Sequence, residues 1–388
     1  MCVKSCVGFT GPFKHLDQCP DCGAPRYDQD GSADGKKVPQ KVFTTFPIDP
    51  QLQARWKNPE MAKRMHYRWE KTQDLRRERE EPPDATPRVY DDILSGQAYL
   101  NAALEAPINE YDTVLMFSVD GAQLCEHKKS DCWIYIWIVL NLGPDERYKI
   151  RNIPPGGVIP GPERPKNLDS FLFSGLAHVS ALQREGLLIW DAYHQRRALS
   201  FLFLLLVLAD TIAMTELTGS VGHLGRKGCR LLCGFAGRNK HGGSQYYPAL
   251  LRPHGFGDHP SSSHPDVDIN DLPDPDPEEY RQNLYYVISS GHETELERRR
   301  LQTGIGKPSI FDGIPRILKL PTCFGGDLMH QPIINLPALF LDLLCARPDA
   351  RKFDPSSRWP WAVLVRDVWK RHGTTISAAA THLPTSFG

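Results

Sequence analysis

Four cysteines stand within the first 22 residues as Cys2, Cys6, Cys19 and Cys22, in the pattern Cys-x3-Cys-x12-Cys-x2-Cys. Zinc takes four thiolates tetrahedrally. A Cys-Pro-Asp-Cys-Gly knuckle presents two sulfurs to one ion, and a second pair a dozen residues away closes the site. Four unrelated buried thiols are the plain alternative. A segment this short cannot fold on apolar burial alone and needs a staple, so the spacing predicts a zinc module over residues 1–30. A further pair lies in Gly228-Cys229-Arg-Leu-Leu-Cys233, followed by Arg238, Lys240 and His241. Cys-x3-Cys beside a histidine is half of a zinc site that His223, His241 or His254 would complete, and two loop thiols explain the same spacing.

Carboxylates supply the other chemistry. Asp120 and Asp210 each close an apolar run. A carboxylate there often caps a turn, and Asp120-Gly121 is a good turn dipeptide. Two of them at one edge of a sheet also suit a hard cation such as Mg²⁺ or Mn²⁺, which prefers carboxylate oxygens and keeps waters for substrate phosphates. A third acid, Asp327, lies in Gly325-Gly326-Asp327-Leu-Met-His330, where Asp-x-x-His puts both side chains on one face of a helical turn.

The elements that must position these groups follow from composition and period. The chain has 388 residues, enough for two or three compact units, and its 46 Lys+Arg balance 46 Asp+Glu. That balance excludes gripping nucleic acid by bulk charge, and 40% hydrophobic residues exclude global disorder. The longest apolar run, Phe201 to Ala209, is far short of the roughly 20 residues that cross a bilayer. The first thirty residues hold no apolar block, so the chain is expected to be soluble and intracellular, where ten cysteines serve as thiols or metal ligands rather than disulfides.

Residues 28–50 read as a loop and one strand at Val42–Pro47. Residues 51–80 read as helical, with Leu52, Trp56, Met61, Met65 and Trp69 on one side. Their many basic residues, Arg55, Arg68 and Arg76 among them, fit either a solvated helix laced with ion pairs or a phosphate-contacting one. Residues 81–90 form a linker. Strands are expected at Thr113–Val119 and Cys132–Leu140, and a third opens the stretch 147–165, which ends in a Gly/Pro loop from Pro154. A helix over Asn167–Trp190 and an apolar strand over Leu199–Ala209 follow. An acidic loop at 271–277, a helix over Glu278–Thr303, a loop or short strand at 314–325 and a helix over Asn335–Cys345 complete the pattern. The fold class is α/β with a mixed sheet.

Several long motifs carry a resemblance. They include Ser118-Val-Asp120-Gly-Ala-Gln-Leu124, Ser130-Asp-Cys-Trp-Ile-Tyr-Ile-Trp137 and Gly156-Gly-Val-Ile-Pro-Gly-Pro162. Further along come Lys166-Asn-Leu-Asp-Ser-Phe-Leu-Phe173, Tyr246-Tyr-Pro-Ala-Leu-Leu251, His264-Pro-Asp-Val-Asp268 and Cys323-Phe-Gly-Gly-Asp-Leu-Met-His330. With the N-terminal cysteines and Gly11-Pro12, the sequence resembles the Plavaka group of fungal CACTA-type (En/Spm-like) DNA transposases along essentially its whole length.

The resemblance implies a ribonuclease H-like core with a DDE/D triad at Asp120, Asp210 and Asp327, the acids Glu293, Glu295 and Glu297 being alternatives for the third. It implies two Mg²⁺ or Mn²⁺ ions, cleavage and transfer of DNA strands, structural zinc on Cys2, Cys6, Cys19 and Cys22, and a second zinc on Cys229, Cys233 and His241. The organisation would be a zinc module (1–30), a basic helical segment and linker (31–90) and the core (91–388), with an insertion at about 219–277 and a C-terminal truncation relative to the longer family proteins. Partners would be transposon-end and target DNA and a second copy of the chain, with no membrane, in the nucleus. The sequence departs from the family at Thr211-Ile212-Ala213, in place of a Gly-Pro-like turn, and at Gln245, where His is common. The alternative function is a non-catalytic, zinc-dependent DNA- or protein-binding remnant. An unrelated metal-dependent phosphatase or nuclease shares the carboxylate logic.

Overall fold

The computed structural model describes residues 1–28, 37–80, 89–105, 108–123, 131–239, 245–251, 266–326, 333, 335–345, 362–364 and 366–379. Met1–Gly326 form one compact unit and Asp327–Gly388 a second. In chain order the elements are β1 (Thr44–Thr45), α1 (Asp49–Lys57), α2 (Pro59–Met65), α3 (Tyr67–Glu80), α4 (Gln97–Glu105), β2 (Thr113–Gln123), β3 (Asp131–Val139), α5 (Pro144–Arg147), β4 (Pro155–Pro160), α6 (Leu168–Glu185), β5 (Leu187–Asp191), β6 (Arg196–Ser200), β7 (Leu202–Ala209), α7 (Thr211–Thr218), β8 (Arg238–Asn239), β9 (Tyr246–Tyr247), α8 (Pro277–Ile288), α9 (Glu293–Thr303), α10 (Leu336–Leu344) and α11 (Arg366–Ala379).

A five-stranded mixed sheet, ordered β1-β4-β3-β2-β7, organises the first unit. Val114, Leu115, Met116 and Phe117 of β2 are all buried, and four consecutive apolar residues require cover on both faces, hence the interior position. β3 pairs with β2 antiparallel from Leu115↔Val139 to Gln123↔Asp131. On the other side β7 runs parallel, from Thr113↔Leu202 to Val119↔Ala209. Beyond β7 the chain at 317–324 passes alongside with parallel bridges Leu204↔Ile317 and Val207↔Phe324. The sheet is covered by α6, which buries Leu168, Phe171, Leu172, Leu176 and Val179, each worth about 1.5–3 kcal/mol if fully removed from water.

The expected mixed α/β class is what forms, but several boundaries move. Residues 147–165 begin in helical turns rather than a strand, and the Gly/Pro segment expected as a loop is β4. The Tyr135 ring of β3 lies against it: a Cβ on Gly156 would sit 2.3 Å from Tyr135 Cδ2, and one on Gly157 2.4 Å from Tyr135 Cε1. These glycines serve close approach within a sheet, not a turn. The helix expected over Asn167–Trp190 stops at Gly186, whose φ of 78° ends α6, and Leu187 to Trp190 belong to β5. The single strand expected over Leu199–Ala209 is two, β6 and β7. Its break at Phe201 is fixed by the buried Asp112, whose Oδ1 accepts the Phe201 N–H at 3.0 Å.

The helix expected over 51–80 is three. Asn58 caps α2 by accepting the Met61 N–H at 2.9 Å, with Pro59 at the first helical position, a start signal that interrupts the apolar period. Arg68 is not a phosphate contact: it is wholly buried and donates to the carbonyls of Asn109 at 2.5 Å and Glu110 at 2.9 Å. Arg76 likewise donates to the Ala103 carbonyl at 3.0 Å. Lys57, Lys63, Arg64 and Arg77 remain exposed. Glu278–Thr303 also divides, into α8 and α9 across Ser289–His292. In the second unit α10 lies within the helix expected over Asn335–Cys345.

Candidate functional site

The parallel register of β2 and β7 brings two of the candidate acids side by side. Val119 pairs with Ala209, and Asp120 and Asp210 are the next residues of the two chains. Adjacent strands lie about 4.8 Å apart, so the residues just before the two acids, Val119 and Ala209, lie one strand spacing from each other. Asp120 is not in a turn: β2 continues to Gln123 against β3, with Asp120 opposite Ile134. It is exposed, and its Oδ1 accepts its neighbour Gly121 N–H at 2.7 Å. Asp210 is half-buried and caps α7, its Oδ1 accepting the Ala213 N–H at 2.6 Å. Thr211-Ile212-Ala213, noted above as a departure, is the first turn of that helix. Among the described residues, the second oxygen of each carboxylate takes no hydrogen bond.

One residue at this edge escaped the sequence reading. Arg230 lies between Cys229 and Cys233 and donates to the Ala209 carbonyl at 2.7 Å, with Thr211 Oγ1 at 3.4 Å. It therefore ties the 219–239 segment to the residues flanking Asp210. Nothing local in Gly-Cys-Arg-Leu-Leu-Cys announces this, because its partners are about twenty residues upstream. Asp327 and His330 lie outside the described residues. Among those described, no third ligating side chain groups with Asp120 and Asp210 so that the ligand atoms all lie within 4.8 Å of one another. The alternatives for that place are on α9: Glu293 and Glu297 are exposed, and Glu295 accepts the Gly291 N–H at 2.9 Å and the Arg299 guanidinium at 2.6 Å.

The N-terminal cysteines do converge. The sulfurs of Cys2, Cys6, Cys19 and Cys22 all lie within 4.8 Å of one another, with Cys2 and Cys22 3.5 Å apart. Tetrahedral zinc with bonds of about 2.3 Å spaces its sulfurs about 3.8 Å apart, so this cluster can hold a zinc ion with little movement. The thiols differ in acidity: burial pushes Cys6 up to about 12 and raises Cys19, whereas a hydrogen bond from the Ala24 backbone leads in drawing Cys22 down to about 7. Around the sulfurs, Val7 and Phe9 form a small core of their own. The segment is joined to the start of α6 by hydrogen bonds: Lys166 N–H to Ser5 O at 3.1 Å, Asn167 N–H to Cys6 O at 2.9 Å, and Gly8 N–H to Ser170 Oγ at 2.8 Å.

Cys229 and Cys233 of the second cysteine pair are hydrogen-bond partners. A hydrogen bond to Cys233 lowers Cys229 to about 6 and raises Cys233 well above the ordinary thiol range. Of its candidate third ligands, His223 is exposed, and His241 and His254 lie outside the described residues. No helix in the described residues is long and apolar enough to cross a membrane. Compared with models of known protein families and with curated proteins, the sequence matches none.

Proposed function

We propose that the chain is a DNA transposase core of the DDE/D type, in which a ribonuclease H-like mixed sheet positions carboxylates for metal-dependent strand cleavage and strand transfer. One observation carries the reading: Asp120 and Asp210, 90 residues apart in the sequence, follow the in-register pair Val119↔Ala209 on adjacent parallel strands. Their donor set fits Mg²⁺ or Mn²⁺, since hard cations take carboxylate oxygens and each acid keeps one oxygen clear of its backbone bond. Held there by Asp120 and Asp210, such ions would supply activation of a water or 3′-hydroxyl and stabilisation of the leaving oxygen. The chain's own part is positional. Cap and strand register hold the two carboxylates, and Arg230 braces the segment after Asp210. The zinc module and the exposed Lys57, Lys63 and Arg77 provide contacts to DNA, and the site of action is the nucleus.

The decisive assay is Mn²⁺-dependent nicking of supercoiled DNA by the full chain. Asp120→Asn and Asp210→Asn keep an acceptor for their backbone bonds, so each should fold as the parent does while losing about 100-fold or more in rate. Equal nicking by parent and double variant refutes the mechanism. Zinc-dependent DNA binding by a parent that never nicks supports instead a binding remnant, the reading favoured by the convergence of the four cysteines alone.

A further inference from the structure

Asp191 ends β5, and the turn that follows carries Tyr193 and His194 and folds back onto His66, the residue between α2 and α3. Asp191 is wholly buried and His66 only 4% exposed. Asp191 Oδ2 lies 3.0 Å from His66 Nε2 and 2.8 Å from His194 Nδ1. One ligand atom from each of His66, Asp191 and His194 can be chosen so that all three lie within 4.8 Å of one another. The other oxygen, Oδ1, accepts the backbone N–H groups of Tyr193 at 2.9 Å and His194 at 3.2 Å, which aims Oδ2 at the imidazoles. On its far side His66 presents Nδ1 to the Glu110 carboxylate at 3.6 Å, and Arg196 holds Glu110 at 3.2 Å. Trp56 and Tyr111 pack on the His66 ring, with centroids 5.2 and 5.6 Å away. His194, 41% exposed, opens the cluster to solvent.

We propose that His66, Asp191 and His194 form a mononuclear site for a divalent transition metal of the zinc class, with solvent in the fourth position. Two imidazoles and one carboxylate are the donor set of open zinc and non-haem iron centres. Such ligands bind zinc at about 2.0–2.2 Å and so lie about 3.3 Å apart in a tetrahedron, which asks the Asp191 oxygen to part from each ring by a few tenths of an ångström. Glu110, 3.6 Å from the distal nitrogen of His66, is near enough to close onto it as the outer-shell carboxylate that orients a metal-bound imidazole and raises its basicity. Tyr111 Oη, 3.4 Å from Asp191 Oδ2, supplies a further hydrogen bond to the ligand oxygen. An ion here cross-links the β5–β6 hairpin to the helical layer, where the Ala192 N–H already donates to the Trp56 carbonyl at 3.0 Å. The site uses nitrogen and oxygen only, so it differs in kind from the thiolate cluster, and it does not depend on Asp120 or Asp210.

The test uses the full chain saturated with zinc alone, freed of excess by gel filtration, with metal measured per chain. His194→Gln retains an N–H donor for Asp191 but removes the imidazole. The expected result is about one zinc fewer per chain than the parent, together with an unchanged thiolate-to-cobalt absorption band when Co²⁺ replaces zinc. Equal zinc content in parent and variant overturns the site and leaves a hydrogen-bonded His-Asp-His cluster. Loss of the thiolate band along with the zinc overturns it too, by placing the metal on the cysteines. Glu110→Gln gives an independent reading should His194→Gln melt differently from the parent: zinc affinity at this site should fall by about 10–100-fold, and unaltered affinity refutes the proposal.

Discussion

Arg147 and Asp92 form an ion pair inside the helical layer, each side chain only 1% exposed. The pairing is bidentate, at 2.7 and 2.9 Å, and Arg147 Nε donates to the Leu142 carbonyl at 2.8 Å. Tyr67 Oη donates to the same carboxylate at 2.6 Å, so the first residue of α3 and the last of α5 share one anion. Asp92→Ala leaves a guanidinium buried without its counter-ion, which costs about 3–5 kcal/mol of a typical 5–15 kcal/mol total. Over the 326 residues of the first unit, an unfolding entropy of about 2.1 cal/mol/K per residue converts this to a fall in Tm of roughly 4–7 °C.

Tyr67→Phe removes one hydrogen bond and should cost about 1 kcal/mol, or roughly 1–2 °C. The double variant Asp92→Leu/Arg147→Met should recover most of the loss, because it leaves no charge behind. Burial alone would raise the Asp92 pKa, but the bonds from Arg147 and Tyr67 outweigh it and hold the carboxyl below its usual value of 3.8. The folded state therefore binds the proton more weakly than the unfolded chain does. The stabilisation is complete above the ordinary carboxylate range and drains as pH falls through the depressed folded-state pKa. Thermal melting followed by circular dichroism from neutral to acid pH reads both effects. An Asp92→Ala protein melting within about 1 °C of the parent, or a double variant as unstable as the two single changes combined, refutes this reasoning.

Two further outcomes follow from close contacts. Gly157→Ala places a methyl group 2.4 Å from the Tyr135 ring and 2.7 Å from the Thr44 carbonyl, so the β1–β4–β3 edge must shift. A loss of about 1–3 kcal/mol in urea unfolding is expected, and an unchanged midpoint would show that the sheet yields freely. Stripping zinc with a chelator should release the N-terminal segment from α6. Hydrogen exchange at Gly8, Lys166 and Asn167 should accelerate while the β2 and β7 amides stay protected, whereas unaltered exchange at those three positions would show that the cysteines do not hold the segment.

The four-cysteine cluster, the central strands and α6 are legible from residue order because their signals are local. Cysteine spacing sets which sulfurs reach one ion, an unbroken apolar run marks a covered strand, and a helical period marks the face that lies on it. The same local signals misplaced β4, β5 and the division of 51–80. A Gly-Gly pair looks identical in a turn and beneath an aromatic ring, and apolar periodicity runs through a capped break without registering it. Arg68 counted as a surface charge until Asn109 and Glu110 enclosed it.

What the tertiary structure alone decided is which distant groups meet. Asp120 stands beside Asp210 because β7 adds in parallel to β2, and His66 reaches Asp191, 125 residues away, because a hairpin folds back onto the α2–α3 junction. By itself the sequence determined the types of ligand and the local elements that carry them. Their convergence required strand register and chain reversal, which depend on packing across the whole core and leave no periodic trace in the order of residues.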